Sequence, residues 1–193
     1  MSPGLPAHYQ FDLNGDGHAE IYGASAHEAV AGTLAVGRAW VFDGKTGSVL
    51  HTLDDPTPAA HGDFGRSLAA TNFDNRSGGI DFYIGQDPHH AGVPDQDGGT
   101  YVFSGANGSL LRSLELPLAC QQTSTPGSPG PGLGYSLAAP GGLSGDGLPD
   151  HVAGAPFYDN SPSPGVVHQD EGVELIFLSD ATTDPNFTCN SNS

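Results

Sequence analysis

A repeated strand–turn–strand pattern is the feature that most constrains how this chain can fold. Residues 40–53 recur as residues 101–114, with similar residues at most positions 61 places later, and a shorter version stands at 173–180. In both full copies, β-branched and aromatic residues flank two glycines three positions apart, which is typical of a β-hairpin. Recurrence at a constant spacing indicates that one structural unit is copied along the chain.

A second element repeats within the same unit. Residues 64–70 resemble residues 134–139, and a loop rich in Asp and Gly follows each of them. A short predicted strand comes next, at residues 82–85 and 151–156, and the same loop and strand occur at 12–24. Each unit therefore contains four short strands in about 60 residues, which is typical of one blade of a β-propeller.

The repeats predict the fold class and the division of the chain. We expect an all-β, β-propeller-like protein with about three four-stranded blades in an incomplete or open ring. The predicted blades are residues 1–63, residues 64–133 and residues 134–193, the last including a polar tail. A Pro/Ser/Gly-rich loop at 121–132 lengthens the second blade.

Charge composition excludes several classes of partner. The chain has 22 Asp and Glu against five Lys and Arg, a formal net charge of −17. Binding to nucleic acid or to an anionic membrane surface requires clustered basic residues, so we expect neither partner.

No apolar run is long enough to span a membrane. The residues after Met1 include neither the basic start nor the apolar stretch of a secretory signal peptide. We therefore expect either a cytosolic protein or a sequence whose leader is missing.

The loop at residues 12–20 has the composition of a calcium site. Asp12, Asn14 and Asp16 stand at alternate positions, Gly17 permits a sharp turn that brings in the His18 carbonyl, and Glu20 closes the loop. Calcium prefers six to eight oxygen ligands of this kind. An EF-hand would place a glutamate where Gly23 stands and would need flanking helices. A plain Asx-turn is the alternative, since Asp, Asn and Gly also favour turns.

The other two acidic loops are weaker candidates for calcium. In the second, Asp74 and Asp81 enclose Arg76, whose charge would repel a cation. In the third, Ser144, Asp146 and Asp150 are retained, but Gly142 stands where the first aspartate should be.

The chain has two cysteines, Cys120 and Cys189. They could form one disulfide that closes a long loop, or they could be two unrelated thiols.

These residues resemble the FG-GAP repeat family, the blades of the integrin α-subunit propeller. The resemblance rests on Phe64-Gly65, on Gly154-Ala155-Pro156 and on the 12–20 loop, which matches Asp-x-Asn-x-Asp-Gly-x-x-Asp with Glu20 in the final place. It implies a β-propeller, Ca²⁺ in the blade loops, an extracellular or cell-surface setting, and adhesion or protein–protein binding. Family propellers usually have about seven blades, so a chain with three would be a fragment of a longer protein, would pair with other copies, or would stack its units into an open array or filament.

Three functions follow as expectations. The first is a calcium-binding, extracellular, integrin-α-like segment that binds a protein partner and is not an enzyme, because no nucleophile motif or catalytic triad is recognisable. The second is a subunit that assembles with copies of itself into an extracellular filament or surface layer. The third is a propeller enzyme acting on polysaccharide, since the same fold can carry different functions.

Overall fold

Twelve β-strands account for the regular structure. The computed structural model describes residues 11–73, 79–88, 97–116, 130–163, 166–168 and 171–178, and these ranges contain no helix. The strands are β1 (Ile21–Ser25), β2 (Arg38–Phe42), β3 (Val49–Asp54), β4 (Phe64–Thr71), β5 (Asp81–Gln86), β6 (Gly99–Phe103), β7 (Leu110–Leu114), β8 (Ser136–Gly141), β9 (Asp150–Ala155), β10 (Asn160–Ser163), β11 (Val166–His168) and β12 (Val173–Phe177). The predicted all-β class is confirmed.

The strands form three antiparallel sheets that follow the repeats. The first sheet has the order β1-β2-β3, the middle sheet β4-β5-β6-β7 and the third sheet β12-β9-β8, while β10 and β11 form a separate ribbon. Both full hairpin repeats adopt the predicted strand–turn–strand form. Of the shorter copy, Val173–Phe177 forms β12 against β9, and residues 179–180 lie outside the described residues.

Two cores lie on opposite sides of the middle sheet. The first core packs the first sheet against the middle sheet; its buried members are Ala39, Val41, Leu53, Phe64, Ile80, Phe82, Ile84, Tyr101 and Phe103. The second core packs the middle sheet against the third; its buried members are Tyr83, Val102, Leu114, Leu116, Leu133, Ala153, Ala155, Leu175 and Phe177. Side chains alternate between strand faces, so β5 contributes Phe82 and Ile84 to one core and Tyr83 to the other.

Successive packing of sheets agrees with the predicted open, propeller-like arrangement. Isolated parallel bridges join Gly37 to Phe64 and Gly98 to Leu133, so the start of β4 lies beside the first sheet and residue 133 lies beside the middle sheet. The described residues form no closed barrel. In the described ranges the first and third sheets have three strands each and the middle sheet has the predicted four.

Candidate metal loops

The three acidic loops lie at one end of the sheets. The first precedes β1, the second joins β4 to β5 and the third joins β8 to β9. Because neighbouring strands are antiparallel, the turns between β2 and β3 and between β6 and β7 lie at the same end. A Cβ on Gly44 would overlap the carbonyl oxygen of Ala19, and one on Gly105 would overlap that of Ile80. Each hairpin glycine thus lets its turn lie against the neighbouring acidic loop.

The first loop is held by its own carboxylates. Asp12 Oδ1 accepts hydrogen bonds from the backbone N–H groups of Gly15 (2.8 Å) and Asp16 (3.0 Å), and Asp12 Oδ2 accepts one from Gly17 (2.9 Å). Gly15 and Gly17 have φ values of 77° and 87°, which glycine adopts without strain. These bonds curl the loop around the Asp12 side chain.

The alternate polar residues also bond within the first loop. Asn14 Oδ1 accepts from the Asp16 N–H and Asp16 Oδ1 accepts from the His18 N–H, both at 2.9 Å. Asn14 Nδ2 donates to Asp43 Oδ2 in the adjacent turn at 3.0 Å. The pKa of Asp43 is lowered, chiefly by its hydrogen bond from the Thr46 N–H. The predicted ligands Asp12, Asn14, Asp16 and His18 therefore lie together in one loop.

Glu20 closes the loop from a buried position. Its Oε2 accepts a hydrogen bond from the Leu13 N–H at 2.7 Å, whereas its Oε1 is buried and has no hydrogen-bond partner. A buried carboxylate oxygen without a partner is costly, and a bound cation would satisfy it. An ionised carboxylate offers about four acceptor sites, so the loop carboxylates can accept N–H groups and still contact a cation. The donor chemistry of this loop therefore fits Ca²⁺.

The same closing position is occupied in all three loops. Asp81 Oδ2 accepts from the Phe73 N–H (2.8 Å) and its Oδ1 from the Gly105 N–H (3.1 Å). Asp150 Oδ2 accepts from the N–H groups of Leu143 (2.5 Å) and Ser144 (2.8 Å). Glu20, Asp81 and Asp150 are all buried. Since both carboxylate oxygens of Asp81 bond to backbone, that residue ties its loop and its hairpin together.

The structure describes some of the weaker candidate residues, whereas others lie outside the described ranges. Asp146 Oδ1 accepts from the Leu148 N–H at 2.8 Å, within the third loop that also contains Ser144. Asp74, Cys120 and Cys189 lie outside the described residues. Across the described ranges, no three His, Cys, Asp or Glu side chains converge in a group that could hold a metal ion. Calcium binding in the first loop therefore needs oxygen from Asn14, from backbone carbonyls or from water as well as carboxylate.

A buried polar network lies at the opposite end of the sheets and was not predicted. Tyr101 Oη donates to Gln86 Oε1, and Gln86 Nε2 donates to Asp55 Oδ2, each at 2.8 Å. The Thr57 N–H donates to Asp55 Oδ1 at 2.8 Å. Burial raises the pKa of the Asp55 carboxyl, and burial also raises the pKa of Tyr101. The residue 61 positions after Asp55 is Leu116, so the repeat carries no signal for this network.

Comparison with known proteins gives a partial similarity. No protein-family model matches the chain. The chain is 28% identical over 156 residues to phosphatidylinositol-glycan-specific phospholipase D of Rattus norvegicus, which covers 76% of this chain and 18% of that protein. With the Bos taurus protein of the same name, identity is 28% over 178 residues, 87% of this chain and 20% of that protein. The chain thus spans about a fifth of the length of these relatives.

These relatives correct one expectation. The sequence predicted a protein that is not an enzyme, yet the relatives from Rattus norvegicus, Bos taurus and Homo sapiens are all named as a phospholipase D. The prediction relied on the lack of a recognisable catalytic motif, and the region of the relatives that the chain matches is only about a fifth of their length. Within the described residues, no helix is long and apolar enough to cross a membrane.

Proposed function

We propose that this chain is a calcium-stabilised, FG-GAP-type propeller segment of an extracellular enzyme of the phosphatidylinositol-glycan-specific phospholipase D kind. In that enzyme the segment supplies a surface for protein–protein binding. The observation that carries the calcium part is the first acidic loop, where Glu20 Oε1 is buried without a hydrogen-bond partner. The similarity over 76–87% of the chain supports the enzyme part.

Asp12, Asn14, Asp16 and Glu20 are the side chains that would hold Ca²⁺, with the backbone carbonyl of His18. The ion would supply positive charge among clustered carboxylates and couple the order of the loop to folding. The protein's own residues do the rest: Asp12 curls the loop, and Glu20 anchors it to the N–H of Leu13. An extracellular setting agrees with this chemistry, since extracellular calcium modules bind with dissociation constants of about 10⁻⁴–10⁻³ M.

Calorimetry with and without calcium tests the metal proposal. Ca²⁺ at about 100 times its dissociation constant should stabilise the fold by about 2.7 kcal/mol relative to excess chelator. Asp16→Ala should remove most of this response while leaving the chelated protein nearly as stable, because Asp16 is in an exposed loop and bonds only to local backbone. Glu115→Ala, which removes an exposed carboxylate at the opposite end of the sheets, is the matched control and should keep the full response.

A melting temperature that is the same in calcium and in chelator would contradict the calcium proposal. Titration calorimetry adds the stoichiometry. One bound ion that is lost in Asp16→Ala assigns the site to the first loop, whereas an ion that persists in Asp16→Ala but is lost in Asp146→Ala would move it to the third loop.

The enzyme part needs its own measurement. An antibody against this chain should deplete, from the natural source, an activity that releases phosphatidic acid from a phosphatidylinositol-glycan-linked protein. An antibody against an unrelated protein serves as the control. Activity that is unchanged after the chain has been removed would count against this part without affecting the calcium result.

A further inference from the structure

The two hairpin turns of the repeat have the same backbone bonds but different side chains at their first position. In the turn between β2 and β3, the Asp43 N–H donates to the Ser48 carbonyl and the Gly47 N–H donates to the Asp43 carbonyl, each at 2.8 Å. Ser104 makes the same two backbone bonds, also at 2.8 Å, in the turn between β6 and β7. The turn therefore forms with either an aspartate or a serine at this position.

A single side-chain oxygen is enough to cap this turn. Ser104 Oγ accepts a hydrogen bond from the Ala106 N–H at 3.2 Å. Asp43 Oδ1 does the same in the first sheet, where it accepts from two backbone N–H groups of its turn at 2.8 and 2.7 Å. Asp43 has a second oxygen, Oδ2, which accepts from Asn14 Nδ2 in the first acidic loop at 3.0 Å. The aspartate thus connects its turn to that loop as well as capping it.

This contact fixes the orientation of the Asn14 amide. An ionised carboxylate only accepts hydrogen bonds, so the end of the amide that faces Asp43 is the Nδ2 donor. Asn14 Oδ1 is then turned into the loop, where it accepts the Asp16 N–H at 2.9 Å. A carbonyl oxygen has two lone pairs, so Oδ1 retains one further acceptor position. Because Ca²⁺ takes oxygen ligands, the orientation of the amide determines whether Asn14 can be one of them.

The closing carboxylates give independent evidence that the first loop and its turn are arranged for a cation. In the middle sheet, the Gly105 N–H donates to Asp81 Oδ1 at 3.1 Å. Glu20 and Gly44 stand at the matching positions 61 residues earlier. Glu20 is only 8% exposed, yet its Oε1 has no hydrogen-bond partner. The turn of the first sheet therefore supplies a carboxylate to orient Asn14 and leaves Glu20 Oε1 available to a cation.

We propose that Asp43 is a positioning residue for calcium, which holds Asn14 Nδ2 and so keeps Asn14 Oδ1 turned toward the ion in the first acidic loop. Groups that orient metal ligands in this way typically change metal affinity by about 10–100-fold, and we expect about tenfold here because the contact is at the surface. The inference rests on the calcium part of the proposed function. It adds that the calcium centre includes the β2–β3 turn as well as the loop.

Titration calorimetry of the full chain with Ca²⁺ tests the role of Asp43. Asp43→Ser gives the turn the residue that caps the matching turn of the middle sheet, so stability in excess chelator should change little. The dissociation constant for Ca²⁺ should rise about tenfold. Asp43→Asn keeps an acceptor oxygen for the turn but presents an N–H group to Asn14, and it should weaken binding to a similar extent. The stoichiometry should stay that of wild type in both variants.

Lys45→Gln separates positioning from charge. Lys45 is exposed in the same turn, and its removal makes the turn more negative by one unit, whereas both Asp43 variants make it less negative by one unit. If Asp43 acted only through its charge, Lys45→Gln would strengthen calcium binding by as much as the Asp43 variants weaken it. Positioning predicts little change in Lys45→Gln, and an effect as large as that of the Asp43 variants would overturn the proposal.

NMR of the chelated protein checks the contact itself. The side-chain N–H signals of Asn14 should shift in Asp43→Ser and stay at their wild-type positions in Lys45→Gln. Unchanged Asn14 signals in Asp43→Ser, or wild-type calcium affinity in both Asp43 variants, would overturn the positioning role while leaving the calcium proposal intact. A wild-type protein that binds no Ca²⁺ would overturn the calcium part of the proposed function and the role of Asp43 with it.

Discussion

The first and second cores are built from the same repeat but differ in polarity. Phe82 in β5 and His151 in β9 occupy the same position, next to the closing carboxylates Asp81 and Asp150. Phe82 adds an apolar ring to the first core. His151 is 2% exposed, stacks on Phe177 with ring centroids 4.7 Å apart, and has no hydrogen-bond partner on either ring nitrogen. The repeat thus specifies the position at which an aromatic ring packs, whereas the polarity of that ring differs between the two cores.

The two cores also treat their polar groups differently. Tyr101, in the first core, donates to Gln86 and is linked through it to Asp55. Tyr83, in the second core, is completely buried and its hydroxyl has no hydrogen-bond partner. Buried polar groups without partners reduce stability. We therefore expect the second core to be the less stable of the two, and four measurements test that difference.

The largest effect is expected at Asp81, whose strand belongs to both cores. Asp81→Ala removes the acceptor of the Phe73 and Gly105 N–H groups and should destabilise the protein by about 3–6 kcal/mol, since each of these two bonds to a charged group contributes about 1.5–3 kcal/mol. Asp81→Asn, which keeps one acceptor oxygen, should cost less. Urea denaturation followed by circular dichroism measures both. A loss below about 1 kcal/mol for Asp81→Ala would show that the carboxylate does not tie the loop to the hairpin.

The second prediction concerns acid and the second core. Burial lowers the pKa of His151 from 6.5 to about 3. Between these values the unfolded chain binds more protons than the folded one, so stability is lost as pH falls below 6.5. From pH 7 to pH 4 the loss attributable to His151 should be about 3 kcal/mol, at 1.36 kcal/mol per pH unit.

Replacement of His151 isolates this contribution. His151→Phe, which copies the aromatic residue of the first core, should lose about 3 kcal/mol less than wild type over the same pH range. Urea denaturation of the two proteins at matched pH measures this difference. If the stability of His151→Phe fell with pH as steeply as that of wild type, the result would contradict the lower stability expected of the second core.

A smaller effect is expected in the first sheet. Gly44→Ala would place a Cβ against the Ala19 carbonyl oxygen and should cost about 2–3 kcal/mol, because the turn must move away from the acidic loop. The control is Gly47→Ala in the same turn, where the added Cβ meets open space and only the φ of 73° is unfavourable, at about 1–2 kcal/mol. Thermal unfolding compares them, and a Gly47→Ala variant less stable than Gly44→Ala would exclude the close approach as the cause.

The smallest effect concerns the polar network beside the first core. Burial raises the pKa of Asp55, so the folded state holds that proton more tightly and this group favours folding less as pH rises through its folded value. Asp55→Asn removes the titration and should flatten the stability profile above pH 3.8. Denaturation midpoints measured every half unit between about pH 4 and pH 7 would detect it. A profile that is as steep in Asp55→Asn as in wild type would contradict the assignment.

Much of the fold was predictable because its signals are local. The hairpins at 40–53 and 101–114 follow from glycine spacing and flanking β-branched and aromatic residues, and the structure confirms both. The first acidic loop was predictable for the same reason, since alternate side chains bond to backbone only two to five residues away. Calcium in that loop stays a prediction. The expectation of a protein that is not an enzyme was wrong, since the relatives are named as a phospholipase D and the chain matches only about a fifth of their length.

The repeat, the strands, the tight turns and the position of each closing carboxylate could be read from the sequence, because they depend on short-range geometry. The partners of those carboxylates and the rings that line each core depend on how the sheets pack, and the sequence carries no local signal for them. Asp55, Gln86 and Tyr101 are far apart in the chain and meet only because the first sheet packs on the middle one. Ile21 and Phe82 occupy the same place in the repeat, yet Ile21 is exposed and Phe82 is buried, since among the described residues a neighbouring sheet covers only Phe82.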